Sequence, residues 1–517
     1  ILAILLALIL RQVFISLFAG IWLGATFLWG YNPLLGILRL LDHYIVGSLA
    51  APNHASIVLF SLTLGGMVGI ISRSGGTQGI VKKLSNFASK PKGGQIAAWA
   101  MGVFIFFDDY ANTLIVGNTM RPITDRVRIS REILSYIVDS TAAPVASIAV
   151  ISTWIGFELG LIQSVFQQLN INQNIYLIFL QTIPYRFYSV LAIIFVFLVA
   201  LFGRDFGPML KAEKRARKTG KVLRPGGIPL SDLTLTQTTA PEGTPLRWPN
   251  AVVPIFVVIF VTIIGLWYNG KENLIAQGVT GHSIRMIIGA SNSFEVLMWS
   301  SFAGAFTAGV LAISQKILTL RQTFDAWISG TKSMVYAMVI LVFAWSISKI
   351  CEDLHTADYV VAITRGILSP RLLPIITFVI SAFISFATGT SWGTMSILMP
   401  IVVPMAYKFS QEMFLPPEIS TAILIGTIAS VLSGSVFGDH CSPISDTTIM
   451  SSMASGSDHV DHVRTQIPYA LLVAGVAIAA GYLPAGYGFN SFISISIGIL
   501  LLIGFLFLFG KKINQTT

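Results

Sequence analysis

The chain has 517 residues, of which 54% are hydrophobic and only 11% charged, with a mean hydropathy of +0.76. A soluble core of this size does not need that balance, so composition excludes a water-soluble protein and predicts an all-α polytopic membrane protein. The net charge of +10 does not mark a nucleic-acid binder, because the cations gather in loops between apolar runs.

The chain opens on Ile1, with neither Met nor a charged flank, which predicts that some sequence precedes it; no signal peptide is recognisable. Phe14–Trp29, Ala251–Trp267, Phe294–Ile313 and Tyr469–Pro484 approach or reach spanning length. Counting such runs predicts roughly ten to thirteen membrane segments. Two basic stretches read as cytoplasmic loops. Arg73–Lys92 holds five cations and no acid, and Arg204–Arg224 holds eight cations against two acids. The second opens a polar loop that ends near Pro249 and reads as a solvated juxtamembrane face. Cys351 and Cys441 are far apart and follow no metal-ligand spacing.

Between the first basic stretch and Arg121, Arg126, Arg128 and Arg131 lies one apolar segment, Gly94–Met120, of 27 residues. A single crossing would bury the adjacent Asp108 and Asp109 mid-bilayer and leave a basic cluster outside. Two crossings would leave arms of about a dozen residues against the roughly 20 a span needs. A re-entrant hairpin meets both constraints, with arms Gln95–Phe107 and Ala111–Met120 and a tip carrying Asp108, Asp109, Asn112 and Thr113. Such irregular backbone is tolerated only inside protein or beside a water-filled cavity.

Next comes a helix interrupted by Asp139-Ser140-Thr141-Ala142-Ala143-Pro144. Proline withholds a backbone donor and suits the first turn of a new half-helix, so the hydroxyl-bearing stretch before it reads as an unwinding. The second half repeats the order: an apolar arm Leu372–Thr388, a polar tip containing Thr390, Ser391 and Thr394, then Met395–Tyr407. After Ala422–Phe437 follows Gly438-Asp439-His440-Cys441-Ser442-Pro443-Ile444-Ser445-Asp446-Thr447-Thr448. An ionised group at membrane depth costs roughly 2.5–3.5 kcal/mol and persists where it faces a cavity, an ion or a partner. Paired broken segments in corresponding halves point to a midplane site in an inverted-repeat transporter.

Asp139 and Asp439 are the leading ion-binding carboxylates, since a proton and Na⁺ competing for one carboxylate gives exchange. The competing reading is a helix N-cap, which an isolated soluble helix would favour. Recurrence in two membrane segments favours ion binding. One of Asp108 and Asp109 faces the site and the other a partner cation or water; the alternative is a wet tip with no ligand role. Asn112, Thr113, Thr141, Thr390, Ser391 and Thr394 offer neutral oxygens, against ordinary turn and cap chemistry. Ser442, Ser445, Asp446, Thr447 and Thr448 open the second half-helix, whose positive dipole end favours an anion and speaks for an organic-acid carrier. His440 is a pH sensor, a proton relay or a structural histidine. Asp458, His459, Asp461, His462 and Arg464 read as a solvated polar turn rather than a metal site. Glu158, Glu295 and Asp325 receive no transport role and are expected to pair with Lys332 or Arg321.

Gly438–Thr448, Asp461-His462-Val463-Arg464-Thr465-Gln466-Ile467-Pro468-Tyr469 and Phe106-Phe107-Asp108-Asp109-Tyr110-Ala111-Asn112 resemble the NhaC family of sodium/proton antiporters, within the ion transporter superfamily. The resemblance covers roughly residues 55–485. It implies a dimerising scaffold and a transport domain of two hairpins and two broken helices that moves as an elevator. On that plan scaffold helices occupy 1–92, 174–203 and 250–370. The two transport repeats occupy 93–173 and 371–466, with a basic loop at 204–249 and terminal helices at 467–517.

The expected function is secondary active Na⁺/H⁺ antiport in the inner (plasma) membrane by a homodimer. Na⁺ is the coupling or transported ion, held by Asp139 and Asp439, and no other cofactor, nucleic acid or catalytic residue is expected. The alternative is Na⁺- or H⁺-coupled carriage of a small carboxylate or amino acid, as in relatives similar to malate/lactate exchangers and amino-acid carriers. An intramembrane aspartyl protease is a distant alternative, because Val436 and the order Asp109-Tyr110 depart from that chemistry's motifs. A channel fits two broken segments around one closed site less well than alternating access does.

Overall fold

The computed structural model describes residues 2–10, 13–85, 90–229, 243–278, 283–364 and 368–513. Its secondary structure is helical apart from two short strands, Arg204–Asp205 and Lys511–Lys512, which pair antiparallel with Arg204 opposite Lys512. Among the described residues nine helices are long and apolar enough to cross a membrane, or ten with one bent pair counted as a single span. The upper count of ten meets the lower end of the ten to thirteen expected from apolar runs. Some runs are built as pieces too short to cross, such as Phe14–Leu28 and the arm Pro91–Phe104.

The first hairpin forms where it is expected. Pro91–Phe104 and Asp109–Arg126 are joined by four residues, and Asp108 caps the second arm by accepting from the Ala111 N–H at 2.6 Å. The tip is pinned from outside, because the Thr153 N–H donates to the Phe107 carbonyl at 2.9 Å. The second hairpin joins Leu373–Thr388 to Ser391–Glu412 through Gly389 and Thr390. Gly389 has φ +70°, and an added Cβ would press on the Ile444 backbone, so glycine suits this turn on both counts.

Both expected breaks are present. Arg131–Thr141 stops at Ala142 (φ −86°, ψ −94°), and Ala143–Ile148 restarts with Pro144 in its first turn. Pro417–Cys441 stops at Ser442, and Asp446–Ser455 restarts four residues later. The second half-helix thus opens at Asp446, not at Ser442 as the sequence reading had it. Ser442 and Pro443 lie in the extended linker, and Ser445 is the residue before the first turn.

The two hairpins and two broken helices pack with Phe187–Phe202 and His459–Val476. Beside them Pro52–Arg73, Pro249–Ala276, Ser293–Ser314 and Leu320–Asp353 form a second group. Pro52–Arg73 and Leu320–Asp353 cross at Gly65, Gly69 and Gly330, where an added Cβ on Gly330 would overlap the Gly65 carbonyl. Such small-residue crossings let helix backbones approach without a hydrophobic drive between them.

Several expectations need correction. The single helix read at 174–203 is two, Ile175–Tyr185 and Phe187–Phe202, bent by 51° at Arg186. There Arg186 forms a fully buried ion pair with Glu158 at 2.8 Å, so Glu158 pairs with neither Lys332 nor Arg321. Glu295 instead accepts from Asn269 and Asn292.

The stretch at 458–464 is not a solvated turn. Asp458 caps His459–Val476, His462 is buried, and Asp461 pairs with Arg224 at 2.6 Å. The basic segment is not simply solvated either. Gly207–Thr219 lays Met209, Ala212, Glu213 and Ala216 onto the core, Arg215 pairs with Glu132 at 2.8 Å, and the Ile228 N–H donates to Asp458 at 3.0 Å.

Candidate functional site

The two breaks meet. The Ser140 hydroxyl and His440 Nε2 lie 2.8 Å apart, joining the first broken helix to the second. His440 Nδ1 is 2.7 Å from the Tyr188 hydroxyl, so both ring nitrogens are engaged and the ring acts as a fastener. Gln466, from His459–Val476, donates to the Asp139 carboxylate at 2.7 Å and to the His440 carbonyl.

Asp139 and Asp439 are each 2% exposed. Neither caps the half-helix that follows it. Both stand in the last turn of the half-helix before the break, since the N-cap positions belong to Ala142 and Ser445. The negative end of a helix dipole disfavours a carboxylate, so the cap reading fails for both residues on position and on electrostatics.

Neutral donors surround them. Asp139 accepts from Ser451 Oγ at 3.2 Å as well as from Gln466, and His462 Nε2 stands 3.8 Å away. Asp439 accepts from Ser445 Oγ at 2.6 Å and Thr447 Oγ1 at 3.0 Å, while Thr448 donates to its carbonyl at 3.1 Å. Among the described residues no Lys or Arg forms an ion pair with either carboxylate. An isolated carboxylate withdrawn from water is stable only when it takes a proton, a cation or full hydrogen bonding. Carboxylate, hydroxyl and carbonyl oxygens are the ligands hard cations choose. Among the described residues no group of three or more His, Cys, Asp or Glu side chains gathers as a metal centre.

A cavity of about 210 Å³ opens beside this junction, between the tip of the second hairpin, the second broken helix, Tyr110 of the first hairpin and Tyr336 of Leu320–Asp353. Of the expected site residues, Thr390, Ser391, Asp439, Asp446 and Thr447 line it. Asp446 is exposed there and accepts from the Tyr110 hydroxyl.

The other expected residues stand behind this wall. Asp109 is 1% exposed, and among the described residues neither of its oxygens has a hydrogen-bond partner. The Asn112 amide donates to the carbonyls of Gly102 at 2.6 Å, Ile105 at 3.2 Å and Thr141 at 2.8 Å, which closes the first hairpin onto the first broken helix. Thr113 is buried without a hydrogen-bond partner among the described residues, and Thr141 donates to its own helix at Ile137. Ser442 donates to the Phe386 carbonyl at 2.8 Å, and Thr394 to the Thr390 carbonyl at 2.9 Å. These contacts hold the hairpins and breaks together.

Sequence reasoning assigned no role to Gln466, Ser451, Ser140, Tyr110, Trp154, Tyr336 or Trp392. Gln466 sits inside a quoted motif, which was its only signal. Trp154 and Tyr336 come from segments that read as plain apolar stretches and Trp392 from the polar tip of the second hairpin, and only the fold brings the three to one cavity.

A model of the Na⁺/H⁺ antiporter family matches residues 145–487. An uncharacterized protein of Haemophilus influenzae is 33% identical over 97% of this chain and 93% of its own length. A malate-2H⁺/Na⁺-lactate antiporter of Bacillus subtilis is 31% identical over 23% of this chain and 24% of its own. Among solved structures, MtrF of Neisseria gonorrhoeae, of a class of antimetabolite efflux pumps, shares the fold with a TM-score of 0.55. It is 15% identical and covers 92% of this chain and 85% of its own. The chain is a multi-pass membrane protein and a secondary transporter rather than an enzyme, and it belongs to the Na⁺/H⁺ antiporter family.

Proposed function

We propose that the protein exchanges Na⁺ for H⁺ across the inner (plasma) membrane, with the cation bound between the two broken helices. One observation carries this reading. Asp139 and Asp439 are buried at the negative ends of two half-helices, supplied with neutral donors and, among the described residues, without a lysine or arginine ion pair. A site of this kind favours the neutralised state, and either a proton or Na⁺ neutralises it. Competition between the two then produces exchange. The basic loops lie on the cytoplasmic side under the positive-inside rule.

The order hairpin then broken helix occurs at 91–148 and again at 373–455, which supports an inverted repeat. In this reading the two hairpins and two broken helices move together past the second helix group as an elevator, within a homodimer. The decisive assay reconstitutes the protein in liposomes and follows collapse of an imposed ΔpH. Collapse that depends on Na⁺ alone supports antiport; a ΔpH indifferent to Na⁺ overturns it.

A second reading, carriage of an organic solute coupled to the ion, draws on the cavity. About 210 Å³ is far more room than a bare cation needs.

A further inference from the structure

We propose that the organic solute accepted by this cavity is one that carries a protonated amino group, and not a carboxylic acid that lacks one. The inference rests on the reading of the cavity as the transport site. It begins from the charge of the wall. Asp439 and Asp446 line the cavity, and among the described residues no Lys or Arg does. A carboxylic acid without an amine would bring one or two negative charges against the exposed Asp446 carboxylate, even with Asp439 neutralised by a proton or Na⁺. Like charges so placed repel more strongly once water is thinned out.

Sequence reasoning expected an anion at the start of the second half-helix, and the structure removes that attraction. Asp446 occupies the first turn itself and accepts from the Thr447 N–H at 2.9 Å, so the positive end of the dipole is met by the chain's own carboxylate. Among the described residues the Thr447 N–H and the Tyr110 hydroxyl donate to Asp446, which leaves lone pairs for the cavity, since a carboxylate accepts about four hydrogen bonds. An ammonium group supplies three donors and the opposite charge, and such charge-assisted bonds are roughly twice as strong as neutral ones.

The rest of the wall fits the same ligand. Tyr110, Trp154, Tyr336 and Trp392 contribute aromatic surface, and the faces of such rings attract a cation. On the same cavity the helix Ser391–Glu412 starts with the neutral Thr390 hydroxyl as its side-chain cap, at 3.4 Å from the Gly393 N–H. That end would take the carboxylate of an amino acid, but the recognition element is the amine.

The test uses pairs of probes that differ only by amine for hydroxyl: L-alanine against L-lactate, L-aspartate against L-malate, and 2-aminoethanol against ethylene glycol. Binding to the purified full chain is read by thermal stabilisation and by fluorescence of the cavity tryptophans. The amine member of each pair is expected to bind at least tenfold more tightly, and Asp446→Asn to reduce that preference at least tenfold. Equal or tighter binding of the hydroxy members overturns the proposal, as does binding of neither. An amine preference undiminished in Asp446→Asn overturns its placement. If Asp446→Asn does not fold, the wild-type pairs decide alone. The Na⁺-dependent ΔpH assay is run in parallel. Intact antiport without amine binding sinks this inference alone, whereas amine binding without Na⁺-driven flux sinks the antiport reading.

Discussion

Gln466 reaches Asp139 and His440 with one amide nitrogen, donating to the Asp139 carboxylate at 2.7 Å and to the His440 carbonyl. The first acceptor belongs to the first broken helix and the second to the other, one residue beyond Asp439. A single side chain from a third helix therefore fixes the spacing of the two carboxylates. Its carbonyl oxygen is held in turn by His462 Nε2 at 2.7 Å, and His462 Nδ1 stands 2.8 Å from Ser452 Oγ, so the amide has one orientation.

Gln466→Ala would leave a buried carboxylate and a helix-end carbonyl each short of a donor. Losing a donor to a buried group costs about 1–3 kcal/mol. The variant should unfold at a lower temperature in detergent and lose at least tenfold of Na⁺-dependent flux in liposomes. Gln466→Glu should do worse, because it faces Asp139 with a second carboxylate. Wild-type flux in Gln466→Ala would show that the spacing of the two breaks does not matter.

Asp139→Asn and Asp439→Asn should each abolish coupled flux, to less than about one hundredth of wild type, with membrane expression within twofold. The asparagine oxygen can still accept from Ser445 or Gln466, so packing survives while the exchangeable charge is gone. Measuring Na⁺-driven ΔpH collapse and expression on the same preparations separates the two effects. Normal coupled flux in either variant rules out that residue as the carrier.

Much of this site was legible in the sequence, and the gaps have physical causes. The 27-residue segment between two basic clusters admits few solutions, so the hairpin Pro91–Phe104 and Asp109–Arg126 could be placed from length and charge. Pro144 and Pro443 marked the breaks, because each removes a backbone donor. Arg186 gave no such sign. It bends its helix inside an apolar run, and its partner Glu158 lies on another helix. Asp458 and Asp461 looked like solvent-facing charges because their partners, Ile228 and Arg224, lie more than two hundred residues earlier. Composition cannot distinguish a charge that meets water from one that meets a distant strap.

Glu158 and Arg186 are both fully buried, and Arg186 also donates to Thr182 at 2.9 Å and to the Ser147 carbonyl at the end of the first broken helix. Removing one member leaves an uncompensated charge, which costs about 3–5 kcal/mol, whereas an apolar pair of similar volume is often neutral. Glu158→Gln should therefore be strongly destabilised in thermal unfolding. Glu158→Leu combined with Arg186→Met should recover most of that loss. A double variant as unstable as the sum of its single variants would mean that the pair holds the bend through hydrogen bonds to Ser147 and Thr182 alone.

Gly438 precedes the carboxylate of the second break, and a Cβ there would run into the Phe386 N–H and the Ala382 carbonyl of the second hairpin. Backbone atoms cannot step aside as a side chain can, so Gly438→Ala must push the hairpin away from the broken helix. Overpacking of this kind costs about 1–3 kcal/mol. The shift would also widen the cavity wall between Thr390 and Asp439. Flux should fall further than thermal stability does, and a variant with wild-type flux would show that this close approach is unimportant for transport.

Asp205 lies beyond the end of Phe187–Phe202, buried and holding the Tyr469 hydroxyl at 2.8 Å. Burial and then the neighbouring Glu213 carboxylate push it up to about 7, against the pull of Tyr469. The sign of the consequence follows from proton counting. Between the ordinary value of an aspartate and about 7, the folded protein holds a proton that the unfolded chain has released. Stability from this group is therefore complete at low pH, falls as pH rises through that window and is lost above it. Asp205→Asn keeps an oxygen for Tyr469 and removes the titration. Compared with wild type, the variant should gain in melting temperature at pH 8, and the gap should close as pH falls towards 5. A gap that stays constant with pH would place the titration on another group.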